Sequence, residues 1–181
     1  PIFIANSFLG YFLFNRSFEF LDKYYKDLEK TQCIINIGHA FLTSYLSIGY
    51  LMNYIDQYTW YYASGLSCGY ALHDLILTHK IGKYKDMLVH HSLMIIVYLY
   101  PIINSSFVRY VDYYPYFISR VYLCEISTIF FTTSYFLYHT KQTEKTLFKI
   151  SSILTLLTYF PLRVCNFTYL CYYLFKQNNM F

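Results

Sequence analysis

The residues of this chain that could do chemistry are His39, Asp74, His90, His91, Glu125 and Arg163, each set within an apolar run. An ionisable group at membrane depth is costly, so it faces a bundle interior and marks function by default. A neutral imidazole near a carboxylate can act as base or nucleophile. On that ground Asp74, His90 and His91 are the catalytic candidates. Asp74 or Glu125 would orient an imidazole. His39, Glu125 and Arg163 are further members of the same buried polar site. The adjacent His90 and His91 diverge by about 100° on a helix, so one faces the interior while the other reaches a neighbouring helix.

The elements that must position them are apolar helices. The chain has 181 residues, of which 56% are hydrophobic and 13% charged, against about 45–50% apolar and 25% charged in a soluble domain. The pattern predicts an all-α polytopic membrane protein of about six transmembrane helices in one bundle. A first apolar segment, 2–21, is interrupted by Asn15-Arg16 and is expected to be a truncated or interfacial span. A mixed-charge link covers 22–30, and spans follow over 31–55, 58–79, 86–103 (stopped near Pro101), 116–138 and 146–175. The last run would be about 45 Å long as a helix, and Pro161 should kink it. By domains, this reads as 1–30 for the first segment and its link, 31–175 for the bundle and 176–181 for a short tail. The chain begins at Pro1 and shows no signal-peptide pattern, so an N-terminal piece removed or lying outside this sequence is expected.

Basic residues divide by side. Arg16, Lys23, Lys26, Lys30, Lys80, Lys83, Lys85, Lys141 and Lys145 fall in the first, third and fifth links, while Arg109 and Lys176 lie on the other side. This puts those three links on the cytoplasmic-type face. The net charge of +4 follows from membrane topology, and no nucleic-acid partner is implied.

Within the spans, polar residues recur at helical spacing: Gln32, Asn36, His39, Thr43 and Ser47; Ser67, Tyr70, Asp74 and Thr78; Tyr122, Glu125, Thr128 and Thr132; Thr155, Tyr159, Arg163 and Asn166. In a bundle these stripes should converge, with Glu125 or Asp74 pairing to Arg163, because an unpaired buried charge is costly. Gly65 and Gly69 form a small-xxx-small pair for close helix packing. The competing reading is a purely structural network. It also assigns His73 and His79 structural or interfacial roles and makes Arg120 half of a structural ion pair. No metal site is expected. The five cysteines lie inside apolar runs without a CxxC, the histidine spacing of membrane di-iron enzymes is missing, and a haem between His39 and one of the His pair is the least favoured option. No Gly-rich phosphate loop, GxSxG or HExxH is present, and no cofactor is assigned.

Five short runs carry a family resemblance. Asn36-Ile-Gly-His39-Ala40, Gly69-Tyr-Ala-Leu-His-Asp74-Leu, His90-His91-Ser, Leu123-Cys-Glu125-Ile-Ser-Thr128 and Phe160-Pro-Leu-Arg163-Val, in that order on successive apolar runs, resemble the TLC-domain family over about 31–175. The resemblance implies membrane helices around a lipid-accessible cavity. The family's ceramide synthases transfer a fatty acyl group from acyl-CoA to a sphingoid amine with a His-His pair, matched here by His90-His91. Their signature continues with a His-Asp-x-Ser-Asp run, whereas residues 113–125 of this chain contain none. The Glu-x-Ser-Thr form more closely resembles the small TLC-domain-containing proteins, and many members of the family are non-catalytic or unassigned.

Two functions follow as expectations. One is a lipid-handling integral membrane protein whose buried His/Asp/Glu/Arg cavity takes a membrane lipid or fatty acyl chain, with fatty-acyl transfer as its reaction if it is catalytic; His39, Glu125 and Arg163 are then the lipid-binding candidates, with His39 and Arg163 positioning a head group or a thioester carbonyl. The alternative is a non-catalytic accessory subunit of a larger membrane complex, partnered by the other subunits and retaining the fold. The resemblance favours the endoplasmic reticulum; the accessory reading also admits the mitochondrial inner membrane.

Overall fold

The computed structural model describes residues 2–81, 85–103 and 113–178. The regular structure among the described residues is helical throughout: α1 (Ile2–Tyr25), α2 (Leu28–Leu51), α3 (Gln57–Ile81), α4 (Lys85–Ile103), α5 (Tyr113–Tyr122), α6 (Glu125–His139), α7 (Thr146–Tyr159), a π-helical segment (Phe160–Cys165) and α8 (Asn166–Asn178). The chain forms two compact units interleaved in sequence. The first comprises Pro1–Lys26 and Ile55–Pro115, the second Asp27–Tyr54 and Tyr116–Phe181.

In the first unit α1 runs along α3, and the seam is built on glycine. A Cβ at Gly10 would lie 2.5 Å from the Leu66 carbonyl oxygen and 2.8 Å from its Cα, and one at Gly65 would lie 2.9 Å from Asn6 Cβ. One at Gly69 would collide with the Ser7 carbonyl and the Tyr11 amide. Only hydrogen atoms fit there, so the two backbones meet directly, as the small-xxx-small spacing predicts. Aromatic rings fill in beside the seam. Phe14 meets Tyr70 at 5.1 Å, and His73 sits between Tyr11 at 6.3 Å and Phe18 at 5.5 Å. Asn15-Arg16 does not interrupt α1. Both side chains point outwards and hydrogen-bond to Glu19, at 2.8 and 2.9 Å, within the same helix. Helix α4 packs on α3. It runs through Pro101 to Ile103, past the stop expected there. A proline disturbs the turn preceding it, and only two residues follow it in the helix.

In the second unit α6 lies against both α2 and α7. Helix α2 starts at Asp27, whose Oδ1 accepts the Lys30 N–H at 3.2 Å, a standard N-cap. It ends with Asn53 at φ 60°, the Tyr54 N–H returning to the Gly49 carbonyl and the Asn53 N–H to the Tyr50 carbonyl. This is the Schellman arrangement, and asparagine tolerates the left-handed position. The same pair of bonds closes α6 around Lys141, at φ 57°. The Ser47 hydroxyl donates to the Ser119 carbonyl at 2.6 Å, and the Ser134 and Ser151 hydroxyls meet at 2.8 Å. Such small hydroxyl residues let membrane helices approach closely.

The apolar run 116–138 is expected as one span and is instead two helices. Leu123 and Cys124 form a turn in which the Cys124, Ile126 and Ser127 amides bond three residues back, tightening the backbone as in a 3₁₀ turn. Pro161 produces the irregularity expected of it, in the form of a widened π turn. It has no N–H to return, and its ring crowds the carbonyl four residues back. The Asn166 N–H reaches back to both Arg163 and Pro161.

Among the described residues, two stretches are long and apolar enough to cross a membrane by length and composition, Leu28–Leu51 with 24 residues and Thr146–Tyr173 with 28. The second turns almost all of its surface outwards, exposing Ile153, Leu156, Leu157, Phe160 and Val164. A span needs about 20 residues, and the break at 123–124 leaves α5 with 10 and α6 with 15.

Candidate functional site

Helix α3 carries Asp74 on the stripe expected from its spacing. Ser67, Tyr70, Asp74 and Thr78 are all buried, Asp74 to 1% exposure. Helix α4 brings His91, itself 3% exposed, against it, with Nδ1 3.0 Å from Asp74 Oδ2. The Tyr70 ring stands edge-on to that imidazole at 6.1 Å. The two adjacent histidines are thus separated by their environment. His91 faces α3, whereas His90 is exposed on the outer side of α4, its ring 5.2 Å from that of His91. The two atoms meet at ion-pair distance without hydrogen-bond geometry; a carboxylate this close to Nδ1 favours the proton there and the lone pair on Nε2, as a nucleophile or base requires.

The other candidates lie in the second unit. His39 is buried in the middle of α2, and its carbonyl accepts the Thr43 hydroxyl at 3.0 Å. Glu125 is the first residue of α6 and is half-buried, where a negative charge is favoured by the helix dipole. Arg163 belongs to the π segment. Its Nε–H donates to the Ser127 hydroxyl at 3.0 Å, its Nη2–H donates to the Thr128 hydroxyl at 2.7 Å, and its guanidinium lies 5.4 Å from the centre of the Tyr159 ring. Ser127 in turn donates to the Cys124 carbonyl at 2.7 Å, so the tight turn and the arginine are coupled through one hydroxyl. The thiol of Cys124 donates to the Leu162 carbonyl at 2.9 Å, which places the turn against the π segment.

The expected pairing of Arg163 with Glu125 is not made. Arg163 meets two hydroxyls and a ring, and no carboxylate among the described residues. Arginine has five donors, so several remain available to an incoming acceptor. The ion pair expected of Arg120 is likewise missing among the described residues. Its guanidinium lies 4.8 Å from the centre of the Tyr169 ring and 5.8 Å from that of Tyr116. Ser127 is the contact that sequence reasoning did not single out. It lies between two members of a recognised stripe, and only a partner 36 positions away gives it a role. Among the described residues, no three His, Cys, Asp or Glu side chains gather as a metal-ligand set.

No curated protein and no solved structure matches the chain. A family model described as the TLC domain matches residues 33–181, a range that takes in the Asp74–His91 pair, His39, Glu125 and the whole of the Arg163 cluster. With that match spanning well over half its length, the chain belongs to the TLC-domain family of membrane proteins.

Proposed function

We propose that this membrane protein acts on lipids by fatty-acyl transfer, with His91 as the nucleophile and Asp74 as the group that orients it. The observation carrying the proposal is the buried contact at 3.0 Å between His91 Nδ1 and Asp74 Oδ2. Nε2 would attack the carbonyl carbon of an acyl thioester. The C–S bond breaks and the electron pair leaves on the thiolate. An acceptor amine or hydroxyl then attacks the acyl-imidazole, the C–N bond to His91 breaks, and the acceptor's proton ends on the released thiolate to give the thiol. His90 lies outside this step because its ring is exposed. Arg163, with donors to spare, would hold an anionic or carbonyl oxygen of a lipid, and His39 and Glu125 would contact the rest of its polar end. The reading includes a six-span bundle in the endoplasmic reticulum membrane.

The test is incubation of the detergent-purified chain with a long-chain acyl thioester, followed by intact-mass measurement. The expected result is an acyl adduct labile to hydroxylamine, lost in His91→Ala and kept in His90→Ala. An adduct that survives His91→Ala would overturn the assignment of the nucleophile. No adduct at all, together with fixed-stoichiometry co-purification with other membrane proteins, would replace the proposal with the accessory-subunit role.

A further inference from the structure

Arg120 is a charge of the second unit that the proposed reaction does not use. It sits in α5, half-buried, and among the described residues it has neither an ion pair nor a side-chain hydrogen bond. Its Nε is fully buried without a partner. Its position is nonetheless well determined. The Asn166 side-chain amide donates to the Arg120 carbonyl at 2.6 Å, tying α8 to α5. Tyr169, 4.8 Å away, and Tyr116, 5.8 Å away, flank the guanidinium. Rings over the face of a guanidinium stabilise it through the quadrupole and leave its N–H edge directed elsewhere. Tyr169 is 39% exposed, so the aromatic bracket opens to the outside of the helices and is not sealed within them.

Among the described residues, the guanidinium held this way has no carboxylate counter-ion. In a membrane protein that is costly, and the natural neutraliser of an arginine edge is a planar or tetrahedral oxyanion bound through two N–H groups. We infer that Arg120, bracketed by Tyr116 and Tyr169, is a binding site for the phosphate of an anionic membrane lipid. The site is built from residues of the second unit alone and does not depend on acyl transfer. Its chemistry is that of any phosphate monoester or diester, so the source, lipid or free ion, has to be distinguished by experiment.

The experiment uses the full chain, purified in mild detergent and then reconstituted in bilayers of an uncharged galactolipid with and without phosphatidylglycerol. Retained lipid is counted by native mass spectrometry and phosphorus content. Wild type is expected to retain one phosphate-bearing lipid, against an excess of galactolipid and in the presence of inorganic phosphate. Arg120→Gln should lose it, Arg120→Lys should keep it in part, and Tyr169→Leu should weaken retention about tenfold, a loss consistent with one desolvated cation–π contact. Tyr169→Leu keeps the charge in place, so it reports on the site even if Arg120→Gln does not fold. Wild-type protein that carries no phosphorus and takes up no phosphatidylglycerol would overturn the inference without recourse to any variant. So would lipid retention unchanged in both Arg120→Gln and Tyr169→Leu. Displacement of all lipid by inorganic phosphate would assign the site to the free ion and overturn the lipid.

Discussion

The two units solve the problem of buried charge in opposite ways. The first matches a deep carboxylate, Asp74, with an imidazole from the neighbouring helix. The second keeps two guanidinium groups, Arg120 and Arg163, and gives them hydroxyls and tyrosine rings instead of carboxylates. An acid–imidazole pair is internally balanced and suits the movement of a proton or the activation of a nucleophile. An arginine supported by neutral dipoles is preorganised but unbalanced, and suits the binding of an anion. The same apolar surroundings therefore give one region a reactive character and the other a receptive one.

The sharpest way to break the contrast is to remove Asp74. Truncating one member of a buried ionic pair costs about 3–5 kcal/mol, so Asp74→Ala should lower unfolding stability by that order, and Asp74→Asn by less, as measured by denaturant unfolding in detergent. A loss below about 1 kcal/mol would mean that the pair is not what balances the first unit. Next is the frame beneath it. Gly69→Ala forces a methyl group onto the Ser7 carbonyl and Tyr11 amide, and overpacking of this kind costs about 1–3 kcal/mol. The same substitution at Gly38, where nothing lies within 4 Å of the added carbon, should be harmless, and the two melting temperatures provide the check.

In the second unit, Ser127→Ala deletes both the acceptor for Arg163 Nε–H and the donor to the Cys124 carbonyl. The expected cost is about 1–2 kcal/mol. Arg163→Lys should lose a similar amount despite retaining the charge, because a single ammonium cannot reproduce the two-pronged contact. Equal stability of the lysine variant and wild type would reduce the arginine to a point charge.

The smallest effect concerns pH at the edge of the helices. The carboxyl of Asp27 is held below its ordinary value, chiefly by the Lys30 backbone N–H and then by the Lys30 side chain. Its contribution is complete above the ordinary value of 3.8 and is lost as pH falls below it, through the lower folded-state value. Asp27→Ala should therefore cost about 1 kcal/mol at neutral pH and nothing further in acid. Melting curves of the two proteins should converge as pH falls.

What could be read from residues alone divides along physical lines. Local periodicity carries the apolar helices, the buried stripe from Ser67 to Thr78 and the close approach at Gly65 and Gly69, because each depends only on neighbours three or four positions away. The break at Leu123-Cys124 left no mark, having neither glycine nor proline; it arises from backbone bonds that tighten by one residue. Pro161 announced an irregularity but not that the turn would widen. The partners of Arg163 and Arg120 lie on other helices, and no spacing rule reaches that far. For the histidines, a rotation of about 100° between neighbours separated their environments but could not tell which ring would meet Asp74.

The interleaving of the units has a consequence for biogenesis. Helix α2 leaves the ribosome before α3 and α4, yet the helices it meets in its own unit include α5 and α6, made after them. During that interval the inward face of α2, with His39, Thr43 and Ser47, has no protein lining of its own unit. The entropy of closing so long a loop must be met before that contact forms. Insertion into the bilayer and completion of the second unit are therefore separate events in time, and the nascent chain depends on its surroundings to shelter a polar stripe until its last third has been made.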